Sequence, residues 1–293
     1  MDLSDIRKDI DQVDDEIRRL FIRRMALSGQ VAAVKAETAD DIYKPGREQA
    51  IIEKNTKNMD PGLVREYTSL IRKIMELSRK YQYGLTLKHR DCFPFRYGQT
   101  AVEINKPAVL KQECHLFGSR FTSGAVLSDS YGDMADHIRR GKADAGMGVM
   151  ESTGGGFCHE LVLMLAAEQL FVNDCVIHEE DHMRRTLVTF TNRLCILPEH
   201  DRLMLLFAYS DCGDSLGRIL PVFSDYGVSL TKLHVSSGKH DGPLKNLVFL
   251  EAAANMNQPD IRALIYQLYC ESDWFRIIGS YRCRGISPEE EEM

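Results

Sequence analysis

The stretch that decides the fold is LSDIRKDIDQVDDEIRRLFIRRMALSGQVAAVK, which occupies residues 3–35. Its apolar residues recur at spacings of three and four, the pattern of one face of an α-helix. They are Leu3, Ile6, Ile10, Val13, Ile17, Leu20, Leu27, Val31 and Val34. The repeat has one gap, at position 24, and Arg24 fills it. A cation on an apolar helix face is costly without a partner, so Arg24 is a candidate functional residue.

The same helix carries two further cations of interest. At about 100° per residue, Lys35 returns to within roughly 20° of the direction of Arg24, three turns further along. Arg7 points about a quarter of a turn away from both, which indicates that it serves a different site. The alternative is that Arg7 and Lys35 are ordinary solvated residues, as most arginines and lysines are. A helix of this length would span about 50 Å. So small a segment cannot bury that face, and we infer an intertwined dimer.

Two shorter helices are predicted after the break at Pro45. The first covers residues 47–58, and the second covers residues 62–81, where apolar residues again lie at helical spacing. Ser78 and Gln82 are four residues apart, so they share one face near the end of the second helix. The alternative is that both are polar residues at a fraying helix end.

A set of polar side chains on these three helices suits the binding of a small dianion. It combines cations, an Arg-Glu dipeptide and two hydrogen-bonding side chains, and it contains no nucleophile. The members of this polar set are Arg7, Arg24, Lys35, Arg47, Glu48, Ser78 and Gln82. In the order and spacing of these residues, residues 3–85 resemble the all-helical class of chorismate mutases. The resemblance implies that Arg7 reaches into the site of the partner subunit and that the other six form the site within one subunit. One position departs from the family, because Lys44 stands where an acidic residue is usual.

The resemblance also implies a chemistry that these side chains suit. Chorismate has two carboxylates, a ring hydroxyl and an ether oxygen. Its rearrangement to prephenate is a one-step pericyclic reaction that needs no acid, base, metal or cofactor. A catalyst must hold the reactive conformer and stabilise the charge that grows on the ether oxygen. Arginines would bind the carboxylates. Lys35 and Gln82 would donate to the ether oxygen, and Glu48 would accept from the hydroxyl. The predicted catalytic residues are Lys35, Gln82, Arg24 and Glu48, and the predicted substrate-binding residues are Arg7, Arg47 and Ser78.

Composition bounds the remainder of the chain. Its 293 residues leave room for two or three domains. The net charge of −6 implies no nucleic-acid surface, and no apolar run is long enough to cross a membrane. Eight cysteines at irregular spacing, with no C-x-x-C pair, indicate reduced thiols. No signal peptide is predicted at the charged N-terminus, so we expect a cytoplasmic protein.

The middle of the chain resembles one lobe of prephenate dehydratase, a family that is often fused behind this mutase. Residues 131–176 alternate helix and strand patterns around the glycines 154–156. A loop-like stretch is expected over residues 85–112. The segment before position 200 is about one lobe too short, and the Thr-Arg-Phe motif of the dehydratases is replaced by Arg-Thr-Leu at residues 185–187. We therefore predict that residues 92–197 are a degenerate, partial α/β lobe without dehydratase activity.

Residues 178–182 read HEEDH and match the H-E-x-x-H zinc motif. That motif binds zinc from a helix, whereas apolar runs at residues 170–177 and 186–190 predict flanking strands. Five polar residues between two strands are typical of a solvated turn. No metal site is predicted here, and no cofactor is expected anywhere in the chain.

The last segment predicts the element order βαββαβ over residues 201–286. That order implies an antiparallel sheet with helices on one face. Together with Leu216 and Phe223, it resembles the ACT regulatory domain, which has a ferredoxin-like fold. The resemblance implies side-by-side pairing and an amino-acid effector, with Asp214, Ser215 and Leu216 as effector-binding residues. The phenylalanine-binding signatures of that family are altered in this sequence.

The sequence therefore predicts an α+β multidomain protein. Its domains are an all-helical mutase domain at residues 1–88, the partial α/β lobe at residues 92–197 and the ACT domain at residues 201–286. The predicted function is a chorismate mutase of aromatic amino-acid biosynthesis, regulated by an aromatic amino acid, in a homodimer or a higher oligomer. Two alternatives remain, a bifunctional chorismate mutase/prephenate dehydratase and a non-catalytic amino-acid-sensing dimer. A helix that only dimerises has no reason to keep Arg24 inward, which favours the enzyme.

Overall fold

The protein forms two compact units in a computed structural model. The structure describes residues 2–118, 122–180, 182–208, 215–237 and 246–286. The helical unit comprises Met1–Pro94 and Arg262–Glu271, and the sheet unit comprises Phe95–Ile261 and Ser272–Met293. A helical N-terminal region followed by a mixed α/β sheet confirms the predicted α+β multidomain class. The three predicted domain boundaries stay a prediction.

Three N-terminal helices build most of the helical unit. They are α1 (Leu3–Thr38), α2 (Pro45–Thr56) and α3 (Val64–His89). α1 ends where Ala39 adopts a left-handed conformation with φ of 56°, the usual backbone geometry of a helix C-terminus. α2 begins with Pro45, whose missing N–H costs nothing in the first turn of a helix. α1 packs against α3, and α2 packs against α3.

The apolar face of α1 is exposed within the single chain. All nine apolar residues of the repeat are exposed, whereas Ser28 and Ala32 are the buried residues of this helix. The stripe that the sequence predicts as a dimer interface is therefore left uncovered by the described residues of one chain. The intertwined dimer itself stays a prediction.

α3 is longer than the sequence predicted. It continues to His89 rather than ending near Tyr81, so the expected loop over residues 85–112 is wrong at its start. The extension carries Tyr83 and Thr86, which are only 1% and 7% exposed, so tertiary burial stabilises the additional turns. The same expectation is wrong at its other end, where residues 107–110 form a buried strand.

The sheet unit contains one sheet of eleven strands among its described residues. They are β1 (Pro107–Leu110), β2 (Val126–Ser128), β3 (Ala145–Ser152), β4 (Gly156–Phe157), β5 (Phe171–Glu180), β6 (Met183–Thr191), β7 (Arg202–Ala208), β8 (Leu230–Ser237), β9 (Asn246–Ala252), β10 (Phe275–Tyr281) and β11 (Cys283–Ile286). The helices after α3 are α4 (Tyr131–Arg139), α5 (His159–Glu168), α6 (Ser215–Asp225) and α7 (Pro259–Glu271). Most of α7, residues 262–271, belongs to the helical unit.

The strand order is β2-β1-β3-β6-β5-β10-β7-β9-β8, with β4 paired to β3 and β11 paired to β5. β1 lies parallel to both β2 and β3, and α4 forms the crossover between β2 and β3 that a parallel arrangement requires. The last four strands along the path pair antiparallel, in the order that the βαββαβ pattern gives. Their assignment to the ACT family stays a prediction.

A close approach of two strands ties the halves of the sheet together. A Cβ atom on Gly279 of β10 would lie 2.3 Å from the carbonyl oxygen of Val172 in β5, so only glycine fits there. One hydrophobic core includes Val172 and Leu165 together with Met204 and Phe249 of the C-terminal strands. Residues 108–190 of the sheet unit therefore share a core with β7, β9 and β10.

Two sequence motifs of the sheet unit have defined places in the fold. The HEEDH motif covers the end of β5 and the turn before β6, and Asp181 lies outside the described residues. It therefore lacks the helix that an H-E-x-x-H zinc site requires. Residues 185–187, which stand where a dehydratase would carry Thr-Arg-Phe, lie within β6. Among the helices that the structure describes, none combines the length and apolarity that a membrane span needs.

Candidate active site

Arg24 lies between α1 and α3 and is half-buried. Its Nη1 donates to the Oγ atom of Ser78 and, at 3.2 Å, to the carbonyl oxygen of Ile74. Ser78 is 3% exposed and donates its own hydroxyl to the Ile74 carbonyl at 2.8 Å. Burial lowers the pKa of the Arg24 guanidinium, and the nearby charge of Glu48 opposes that shift. The cation in the apolar repeat therefore has the polar partners that its position demands.

Lys35 closes the turn between α1 and α2. Its Nζ donates to the carbonyl oxygens of Asp41 at 2.6 Å and Ile42 at 3.0 Å. Burial lowers the pKa of Lys35, while the charge of Asp40 raises it and that of Arg47 lowers it further. An ammonium group has three donors, so two backbone contacts leave one N–H for a ligand.

Glu48 lies at the start of α2 and is held by an arginine that the sequence analysis did not single out. Its Oε1 accepts from Nη1 of Arg79 at 2.5 Å. Arg79 also donates through Nε to Oε1 of Glu271, at 2.9 Å. Burial alone would lower the pKa of Arg79, but the carboxylates of Glu271 and Glu48 outweigh burial and raise it. No sequence signal could link Arg79 to Glu271, which stands 192 positions away.

Gln82 lies one turn beyond Ser78 on the same side of α3, as the spacing predicted. It is 8% exposed, and its Oε1 accepts no hydrogen bond from the described chain. A buried amide atom without a partner costs free energy, which favours a ligand that pairs with it. The two ends of an amide are assigned from their surroundings. A flip would aim the NH₂ group at the same place and make Gln82 a donor.

The single chain does not bring Arg7 to the rest of the polar set. Arg7 is exposed near the start of α1, roughly 25 Å along the helix from Arg24. Arg47 is exposed in the first turn of α2. Lys44, at the position that is usually acidic in the family, pairs with Asp40 at 2.6 Å.

A cavity of about 210 Å³ lies beside Lys35 in the helical unit. Lys35, Asp40, Tyr43, Tyr83, Arg90 and Tyr266 contribute to its lining. Two aromatic rings of this lining are in contact, because Tyr83 and Tyr266 meet edge to face with centroids 5.7 Å apart. Residues 262–271 of α7 therefore pack beside the predicted site within the helical unit.

The predicted effector residues are not described to the same extent. Asp214 lies outside the described residues, and Ser215 and Leu216 are described only as backbone at the start of α6. Their role stays a prediction. Among the residues that the structure describes, no group of three or more His, Cys, Asp and Glu side chains is arranged to hold a metal ion.

The predicted site residues thus lie on the three N-terminal helices of the helical unit, and their binding of a small dianion stays a prediction. Residues 6–83 match the family model for chorismate mutase type II. The helical unit therefore contains a chorismate mutase type II domain, and the family predicted for this segment is confirmed. The match supports chorismate mutase activity.

Solved structures resemble the larger part of the chain. One is described as GqqA, a novel type of quorum quenching acylase, with 17% identity, a TM-score of 0.52 and coverage of 64% of this chain and 98% of that chain. Prephenate dehydratase from Streptococcus mutans matches with 16% identity, a TM-score of 0.49 and coverage of 61% and 98%. Prephenate dehydratase from Staphylococcus aureus matches with 12% identity, a TM-score of 0.46 and coverage of 61% and 100%. At such identities the likeness to the first of these shows a shared fold alone. No curated protein sequence matches the chain.

Proposed function

We propose that this chain is a chorismate mutase that converts chorismate to prephenate in aromatic amino-acid biosynthesis. The observation that carries the proposal is the contact of Arg24 with Ser78 inside a segment that matches the chorismate mutase type II family. An inward arginine on an otherwise apolar helix face has no role in dimerisation alone. The inward position of Arg24 therefore disfavours a non-catalytic sensor.

The proposed mechanism assigns each side chain to one part of the substrate. Arg24 and Arg47 bind the carboxylates and hold chorismate in its reactive conformer. The ether C–O bond breaks as the new C–C bond forms, so negative charge grows on the ether oxygen. The free N–H of Lys35 and the amide of Gln82 donate to that oxygen, and fixed donors in a half-buried site stabilise such charge strongly.

We propose that Glu48 accepts a hydrogen bond from the ring hydroxyl. One oxygen of its carboxylate is bound by Arg79, so the other is available. Ser78 acts through Arg24, whose guanidinium it holds against α3. The reaction is an isomerisation within one molecule, so these residues only bind, orient and stabilise charge.

The active unit in this proposal is a homodimer. The exposed apolar face of α1 supports the homodimer. Nine exposed apolar side chains along one helix face indicate a surface that is covered by another protein chain. Within one subunit, Arg7 lies too far along α1 to reach the site. A second, antiparallel copy of α1 would bring its own Arg7 to this chain's site. Pairing of the βαββαβ segments would extend the dimer to a higher oligomer.

We propose that the sheet unit adds no dehydratase activity and acts instead in regulation. The Arg-Thr-Leu sequence inside β6 supports the first part, because it lacks the Thr-Arg-Phe residues of that chemistry. The βαββαβ order supports the second part, with Asp214, Ser215 and Leu216 as residues that bind an aromatic amino acid. A cytoplasmic location fits the cysteines, which are free wherever the structure describes them.

The test supplies chorismate and prephenate separately to the purified chain and follows both products. We expect chorismate consumption and prephenate accumulation, with no phenylpyruvate from prephenate. Phenylpyruvate formation would establish the bifunctional alternative. A chain that leaves chorismate unchanged would instead refute the mutase and favour the sensor. The matched control is Arg24→Ala, which should fold and lose most of the activity.

A further inference from the structure

A partly buried ion triad links α2, α3 and α7 within the helical unit. Arg79 is 6% exposed, and its two carboxylate partners, Glu48 and Glu271, have side chains that are 24% and 14% exposed. The pKa of Glu271 is raised by burial, which the charge of Arg79 opposes. Gln267 donates to Oε1 of Glu271 at 3.2 Å. The guanidinium of Arg79 also lies over the ring of Tyr43, 4.7 Å from its centroid.

The two carboxylates use different edges of the guanidinium. Glu271 takes the edge formed by Nε and Nη2, at 2.9 and 3.5 Å. Glu48 receives only Nη1, through one of its two oxygens. The donors of an arginine form a rigid fork that prefers to bind a carboxylate through two parallel hydrogen bonds. Glu271 therefore occupies one forked edge of Arg79, and in this arrangement Glu48 contacts the guanidinium through Nη1 alone.

We infer that Arg79 and Glu271 are positioning residues of the mutase site, and that residues 262–271 of α7 are part of its machinery. This inference rests on the proposed function. Arg79 fixes the direction of the Glu48 carboxylate, and Glu271 fixes Arg79 so that one Glu48 oxygen stays available to the substrate hydroxyl. Without Glu271, Arg79 turns to a two-pronged contact with Glu48, and the hydroxyl loses its acceptor.

A purely structural role for the Arg79–Glu271 ion pair and a positioning role predict different results. A pair that only holds α7 against α3 would lower stability and activity regardless of what Glu48 does. A positioning residue acts through Glu48, so its effect disappears when Glu48 no longer accepts from the hydroxyl. A double-mutant cycle separates these cases, because independent effects add and coupled effects do not.

The variant for the test is Glu271→Gln in the full chain. It leaves Arg79 and Glu48 as a balanced pair, so it strands no buried charge, unlike the removal of Arg79. The same change is made in a Glu48→Ala background, which removes the acceptor of the hydroxyl. Glu66→Gln, an exposed carboxyl on α3, is the matched control. Initial rates are measured with chorismate and with an analogue that lacks the ring hydroxyl.

We expect Glu271→Gln to lower kcat/KM for chorismate about tenfold, on the scale of a lost hydrogen bond to a charged group. The loss should fall mainly in KM, because the hydroxyl contact exists both in bound substrate and in the transition state. In the Glu48→Ala background and with the analogue lacking the hydroxyl, the change should have little further effect. Glu271→Asp, which keeps the charge, should recover part of the loss and serves as the second variant if Glu271→Gln does not fold.

Two failures are distinguishable. A wild-type chain that does not convert chorismate overturns the proposed function and this inference with it. An active wild type in which Glu271→Gln matches the Glu66→Gln control overturns the inference alone. An equal loss in both backgrounds has the same meaning, because it assigns Glu271 a purely structural role.

Discussion

Replacing Lys35 with alanine should abolish most of the mutase activity while leaving the helices folded. Two of the three ammonium protons bind the carbonyls of Asp41 and Ile42, which leaves one for the ether oxygen. Removing one donor to a developing oxyanion costs about 2.7–4 kcal/mol, which is roughly 10²–10³ in kcat. Lys35→Gln keeps a neutral donor, so it should lose less than Lys35→Ala.

The assay is the initial rate of chorismate loss, with circular dichroism and a thermal melt for each variant. The matched control is Lys57→Ala, an exposed lysine after α2 that should keep the wild-type rate. Because burial lowers the pKa of Lys35, the wild-type rate should fall as the pH rises through a range below that of an ordinary lysine. Lys35→Gln should lose this alkaline decline. A folded Lys35→Ala variant with near wild-type kcat at neutral pH would refute the assigned role.

Four further results follow from the site and the fold. Mixing inactive Arg7→Ala subunits with inactive Lys35→Ala subunits should restore part of the activity, because one site of the mixed dimer regains both residues. No recovery despite proven subunit exchange would count against the shared site. Gly279→Ala should lower the free energy of unfolding in urea by about 1–3 kcal/mol, since its Cβ would clash with the backbone of β5, whereas Gly285→Ala, with open space around its Cβ, should change little. Burial lowers the pKa of His200, so the unfolded chain binds the proton more readily than the folded chain. The free energy of unfolding should therefore fall as the pH drops below about 6.5. Thermal melts at pH 7 and 5 should show a weaker decline for His200→Gln. Calorimetry with phenylalanine, tyrosine and tryptophan should give heat for at least one of them and about 1–3 kcal/mol of coupling to chorismate binding; silence with all three would leave the ACT-like segment purely structural.

Local periodicity explains what the sequence alone determined. The apolar repeat of residues 3–34 fixed the length of α1 and marked Arg24 as an inward cation, because helix geometry turns spacing directly into direction. The four-residue spacing of Ser78 and Gln82 likewise placed both on one face of α3. The βαββαβ order at the C-terminus could be read in the same way, since each element there has its own pattern and its own turn.

The tertiary structure alone decided which distant segments meet at the site. The partnership of Arg79 with Glu271, and through it the membership of residues 262–271 in the helical unit, has no trace in any local pattern. The extension of α3 to His89 has the same origin, because the burial of Tyr83 and Thr86 depends on tertiary contacts. The spacing between residues along a chain predicts which side of its own helix or strand each side chain faces. The choice of an ionic partner depends on which carboxylate folding brings within reach of a buried cation, and that is a property of the packed chain.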